Sequence, residues 1–145
     1  MQKFSFNMQK ILDLRNYELD QAELDLGRVN AEIARVNAAL AQIAQDRVDY
    51  GRFADDSHDF TTHHQTQAFF VLLDQKKEGL LAELAQLEVI AEQKREVVRL
   101  AMQKVKVLEK LKEKKYAQWK ADFEAQEELA VDDAVTAQQH RKSAG

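Results

Sequence analysis

The chain has no cysteine and no proline, and only 4 glycines among its 145 residues. Without cysteine there is no disulfide, no thiolate metal site and no cysteine nucleophile. Without proline, and with so little glycine, almost nothing punctuates the backbone, which favours long uninterrupted helices. Long apolar runs are missing as well. The longest, Ala68 to Leu73, has six residues, far short of the roughly 20 that cross a bilayer as a helix. Met1 to Lys10 lacks the apolar stretch of a secretory signal. A one-domain cytoplasmic protein is the expectation. Catalytic machinery is missing too: there is no Gly-rich phosphate loop, no nucleophile in a structured elbow and no carboxylate pair placed in a pocket. The residues point away from an enzyme, and they require no cofactor.

What is present is charge and periodicity. Charged residues make up 32 % and apolar ones 45 %, a balance typical of long helices and coiled coils. Steps of four and three from Met8 reach Leu12, Arg15, Leu19, Ala22, Leu26 and Val29. The same steps continue through Ile33, Val36, Leu40, Ile43, Arg47 and Tyr50, so eleven of thirteen are apolar. A mean spacing of about 3.5 residues places them on one narrow stripe of an α-helix, suited to a single partner helix. The two arginines weaken this seam and help to fix its register.

The only clear interruption is Gly51 to Thr62, where three Asp, a Ser and a Gly favour a turn. Thr62 followed by Gln65 resembles a capping box opening a second helix. Ser5 or Asn7 is the candidate cap of the first. The second helix has its own ladder: Leu73, Lys77, Leu80, Leu84, Leu87, Ala91, Lys94, Val98, Ala101, Val105 and Leu108. A broader apolar band adds Leu81, Ile90, Val97, Leu100 and Leu111, and beyond it the phase drifts to Tyr116, Trp119 and Phe123.

Two ladders joined by one turn must pair antiparallel. The expected fold is all-α: two long helices in an antiparallel coiled-coil hairpin, the second longer than the first, forming a monomer. The domain spans 1–135, with a helix at about 7–53, a loop at about 54–62, a helix at about 63–135, and a polar disordered tail at 136–145. A turn centred near residue 57 sets Ile43 against Phe70 to Leu73 and Leu12 against Val105 to Leu108. The second helix then overhangs by about 20–25 residues. Tyr116, Trp119 and Phe123 fall there, either as an exposed strip or packed on Phe4, Phe6 and Met8.

Charge is segregated along this scaffold. Lys94 to Lys120 carries +7, Ala121 to Val135 carries −6 and Asp13 to Asp59 carries −6, within a net charge of −4. Solvated helix surface is the plain account of such blocks. Acidic residues Glu96, Glu109 and Glu113 interleave with the lysines, so an acidic protein surface suits the basic block better than nucleic acid does. His58, His63 and His64 beside Asp55, Asp56 and Asp59 are of metal-ligating type, but a polar turn accounts for them, and no metal is expected.

One resemblance covers most of the chain. Lys3-Phe4-x-Phe6, then Ile11-Leu12-x-x-Arg15-x-x-Glu18, resembles the start of the flagellar FliJ family. The run from Val105 to Lys115 and the acidic stretch Glu124 to Glu128 are similar to that family's second helix, as is Phe69-Phe70-x-Leu72-Leu73 at its start. The resemblance implies a soluble component of the flagellar type III export apparatus, peripheral to the membrane through protein partners only. It implies a stalk that enters and stimulates the hexameric export ATPase, contacts the cytoplasmic domain of the export gate, and escorts export chaperones. Carried over by position, the ATPase-facing candidates are Lys106, Lys110, Lys112, Lys114, Lys115 and Trp119. The gate-facing candidates are Tyr50, Phe69, Phe70 and Leu73, of which Tyr50 and Leu73 also belong to the ladders. An injectisome stalk, a prefoldin-like holding chaperone and a self-associating structural coiled coil are the alternatives. The second of these needs strand-forming hairpins between its helices, and the third needs a second apolar seam.

Overall fold

The computed structural model describes residues 3–144. It contains two helices and, among the described residues, no strand: α1, Gln9–Asp56, and α2, Phe60–Ala144. They are 48 and 85 residues long. The all-α expectation holds, with the second helix the longer. Packing divides the chain into two compact units. One, the hairpin unit, is Asp20–Leu100; the other, the terminal unit, joins the described residues up to Leu19 with those from Ala101 onward. In each unit a segment of α1 lies antiparallel to a segment of α2.

In the hairpin unit the 3/4 ladder is the seam. Ala22, Val36 and Ile43 are buried on α1, and Leu73 and Ala91 on α2. Leu26, Val29, Ile33 and Leu40 are half-buried, as are Leu80, Leu84, Leu87 and Val98. Leu81, Ile90, Val97 and Leu100, the wider apolar band on α2, are exposed. A pair of helices has one contact face each, so a broad band cannot be covered. Two residues of the α1 ladder also lie outside the seam. Arg47 is exposed and forms an ion pair with Asp74 while its guanidinium rests 4.9 Å from the Phe70 ring centroid. Tyr50 is 45 % exposed and stacks obliquely on Phe69, with ring centroids 4.3 Å apart. The seam instead continues into Ala54 and Thr66. Thr66 is accommodated because its hydroxyl donates to the Thr62 carbonyl at 2.8 Å.

The reversal is tighter than the sequence suggests. Only Ser57, His58 and Asp59 are non-helical between the two helices. The cap of α2 is Asp59, not Thr62: its carboxylate accepts from the Thr61 amide at 3.1 Å and from the Thr62 hydroxyl at 3.3 Å. Aspartate at an N-cap outranks threonine and favours the positive end of the helix dipole. Ser57 Oγ accepts from the Asp59 amide, and the His63 ring donates to the Ser57 carbonyl at 2.8 Å. His64 stacks on Phe60. These residues of the turn cap and close it.

The pairing across the seam is also displaced from the expected register. Pairing of Tyr50 with Phe69 and of Arg47 with Asp74 places Ile43 in a groove with Lys77 and Leu81, one turn beyond the expected Phe70 to Leu73. A cysteine pair replacing Tyr50 and Phe69 should therefore oxidise to a disulfide within one chain. A pair replacing Ile43 and Leu73 should stay reduced under the same conditions, as judged by non-reducing electrophoresis. Efficient closure of the second pair alone would restore the earlier register.

The terminal unit is built on Phe6, Leu12, Val105 and Leu108, with Phe4, Met8, Leu19 and Leu111 packed around them. The expected facing of Leu12 and Val105 to Leu108 is present. α1 opens through a backbone turn, Gln9 N–H to Phe6 C=O at 3.0 Å, rather than through a side-chain cap at Ser5 or Asn7. Arg15, a charged break in the ladder, is half-buried and bonded to Glu18 at 3.0 Å. α2 stays helical to Ala144, where the composition favours a disordered tail over 136–145. That segment is polar, but it holds no proline, and Arg141 and Lys142 lie in the last turn, where the dipole favours cations.

Candidate functional site

The part of the basic stretch from Lys104 to Lys120 lies in the terminal unit, on a helix whose inward face is fixed by Ala101, Val105 and Leu108. With those three turned inward, Lys106, Lys110, Lys114 and Lys115 are carried into solvent, and all four are exposed. Lys112 is half-buried and lines a groove with Phe4, Leu12 and Tyr116. The candidate ATPase-facing lysines thus share one stretch of helix but spread around more than one of its faces.

Trp119 is half-buried. The lead-in, residues 3–8 ahead of α1, folds back onto it: the Phe4 ring meets Tyr116 edge-on at 5.2 Å and Trp119 at 5.8 Å. Tyr116, Trp119 and Phe123 form a continuous stack along α2, with successive centroids 5.7 and 5.4 Å apart. Of the two readings of this strip, packing against the lead-in is the one observed. Tyr116 nevertheless keeps 47 % of its surface. Lys3, Phe4, Lys115, Trp119 and Asp122 surround a shallow groove beside the stack, in which aromatic rings lie among polar groups and charges of both signs. Past Phe123 every described residue of α2 is exposed, so the uncovered part of the helix is the acidic and polar stretch rather than the aromatic one.

The candidate gate-facing residues belong to the hairpin unit and do not form one surface. Tyr50 is exposed, Phe69 and Phe70 are half-buried, and Leu73 is only 3 % exposed. Leu73 is a seam residue, with no side-chain surface to offer a partner. Beside Phe70, Arg47 and Asp74 extend the aromatic patch with a charged edge. Periodicity points to neither residue as a contact, because Arg47 falls in phase with the ladder.

Electrostatic perturbation is confined to exposed arginine pairs. The hydrogen bonds that Arg35 donates to Glu32 and then to Glu83 raise its pKa above the ordinary value. The Arg99 hydrogen bond lowers the Glu96 carboxyl, and the same bond raises Arg99. These pairs support helix surface and across-seam register, and none borders a cavity suited to chemistry. Among the described residues no group of three His, Asp or Glu side chains is disposed to hold a metal ion, and no helix is long and apolar enough to cross a membrane.

No curated protein and no solved structure shows significant similarity to the chain. A family model does, the flagellar FliJ protein, over residues 4–144. With nearly every residue matched, and with two antiparallel helices of the expected unequal length, the chain belongs to the flagellar FliJ protein family and is a component of the flagellar export apparatus.

Proposed function

We propose that this protein is a non-enzymatic stalk that binds and stimulates the hexameric export ATPase through its terminal unit and contacts the export gate through its hairpin unit. The observation that supports this most is the exposure of Lys106, Lys110, Lys114 and Lys115 on a stretch of α2 braced by its own lead-in. A basic, pre-ordered helix fits an acidic channel: long-range attraction raises the rate of encounter and fixes orientation, while the braced helix has little conformational freedom to lose on binding. On the hairpin unit Tyr50, Phe69 and Phe70, with Arg47 beside them, are the surface offered to the gate, and Leu73 supports it from beneath. Escort of export chaperones belongs to the same proposal. The prefoldin-like alternative loses its basis, since the described residues hold no strand and the connection has three residues.

The test is hydrolysis by a cognate export ATPase with the purified chain added. Replacing Lys112, Lys114 and Lys115 by Glu reverses three charges at little cost in helix propensity. Helicity should be unchanged, stimulation lost, and parental binding should weaken as salt rises. Stimulation by the triple variant equal to that of the parent would reduce the basic stretch to solvated surface. Trp119→Ala should weaken binding with little change in salt dependence, because its contribution is apolar.

A further inference from the structure

On the side of α2 turned away from the lead-in, the terminal unit carries a second stripe. It starts with Val107, Lys110, Lys114 and Ala117 and reaches Ala121. Beyond Ala121 it goes on through Ala125, Glu128, Asp132 and Val135, again in steps of three and four. At ~100° per residue all of these fall within about 80° of one another, roughly opposite the face that bears Val105, Leu108, Trp119 and Phe123. Every member is exposed, and the two valines keep 67 % and 47 % of their surface.

Read outward from Ala121, the stripe is a palindrome in shape and an anti-palindrome in charge. Ala117 and Ala125 are equidistant from it, as are Lys114 and Glu128, Lys110 and Asp132, and Val107 and Val135. Residues equidistant from the crossing point of two antiparallel copies of one helix face each other. A second copy related by a two-fold axis through Ala121 would therefore set each lysine against a carboxylate, each valine against its counterpart, and alanines at the centre where the backbones come closest. Such a contact is isologous, and it closes at two copies.

The isolated chain leaves this charge pattern unsatisfied. Lys110 and Lys114 are one turn apart with like charge, and so are Glu128 and Asp132, an arrangement that repels along a helix. None of the four takes part in an ion pair, since the ion pairs among the described residues are all made by arginines. Charge complementarity of a face with its own reverse, at four positions and in one register, identifies the occupant as the same chain. A purely acidic or purely basic partner would answer only one half of it.

We infer that two copies of this protein associate reversibly through this face, antiparallel and centred on Ala121. The contact runs over Val107 to Val135, about 43 Å at ~1.5 Å per residue. Its charged pairs lie near solvent, so the dimer is weak and sensitive to salt. The inference goes beyond the ATPase reading and does not depend on it, although Lys110 and Lys114 serve in both.

Sedimentation of the full chain alone tests it. Raising the ionic strength from about 0.01 M to 1 M shortens the screening length from about 30 Å to 3 Å, and the dimer present at low salt should become monomer. Lys110→Glu with Lys114→Glu should be monomeric, because its stripe is acidic throughout. Glu128→Lys with Asp132→Lys should be monomeric for the opposite reason. Mixing the two variants should give a heterodimer, and combining all four changes in one chain should restore the homodimer. Since the native chain has no cysteine, Ala121→Cys should crosslink to itself on mild oxidation, whereas Ala130→Cys on the other side of the helix should not. A parent that stays monomeric at low salt overturns the inference and leaves the stripe to a different protein. So does a mixture of the two variants that stays monomeric, or equal crosslinking at positions 121 and 130.

Discussion

Val36→Asp should remove a large fraction of the thermal stability of the hairpin unit. Val36 is the largest side chain with no solvent exposure at all, and it lies mid-seam, where a carboxylate finds neither water nor a cation. A buried unpaired charge belongs to the short list of changes that cost more than about 3 kcal/mol. Set against a total stability of roughly 5–15 kcal/mol, that is a large fraction. The expected result is a fall in Tm of more than about 10 °C, followed by circular dichroism. Three further variants calibrate it. Val36→Ala removes two methyl groups' worth of burial, about 1.5 kcal/mol at ~0.8 kcal/mol per group. Ile33→Ala, at a half-buried position, should come near the low end of the ~2–5 kcal/mol range for such truncations. Val48→Asp places the same charge on a residue that is 48 % exposed, and it should stay within about 0.5 kcal/mol of the parent. A Val36→Asp protein that melts with the parent would show that this stripe does not hold the helices together.

The seam was legible in the sequence because a helix pair imposes a strict spacing on apolar residues, and Met8 to Ile43 keeps it. The same spacing misled at Arg47 and Tyr50. Both lie in phase with the ladder, yet each has a better use for its polar end: Arg47 reaches Asp74 and the Phe70 face, and Tyr50 lies against Phe69 at the rim. Small residues then take the buried positions near the turn. Ala54 was the next step of the ladder, and Thr66 lay one step behind Phe69 and Phe70, but a threonine in a seam is visible only when its hydroxyl can be seen to reach the Thr62 carbonyl. The length of the turn was missed for a related reason. A loop read from composition is as long as its polar stretch, whereas Asp59 caps a helix that begins at Phe60 and absorbs the end of that stretch.

For the candidate site, the exposure of the lysines was legible from the phase of Val105 and Leu108. Whether Trp119 is covered was not, because Phe4 and Phe6 precede the helix and follow no helical period. The tail shows the limit of composition in the other direction. Thr136 to Ala144 has no apolar stripe to anchor it, and that reads as disorder, but it also has no residue that stops a helix already in progress.

Phe6→Ala should detach the lead-in while leaving both helices formed. Phe6 is 8 % exposed and belongs to the core of the terminal unit with Leu12, Val105 and Leu108. A phenylalanine truncated to alanine in a core costs about 3–5 kcal/mol. The lead-in has little else to hold it: a turn from Gln9 N–H to Phe6 C=O, and the packing of Phe4 on Tyr116 and Trp119. Loss of Phe6 therefore opens this segment locally rather than unfolding the unit, since α1 starts only at Gln9 and α2 runs through on its own backbone bonds. The chain reports the event itself, because Trp119 is its one tryptophan. Its emission should shift to the red and become more accessible to iodide, while the far-ultraviolet dichroism barely changes. Phe4→Ala should give a smaller shift of the same sign, since it removes the ring that covers Trp119 but keeps the anchor. Trp119 emission unchanged in both variants would mean that the lead-in does not cover the aromatic stack in solution. In that event the stack, rather than the lysines, would become the larger free surface on this stretch of α2.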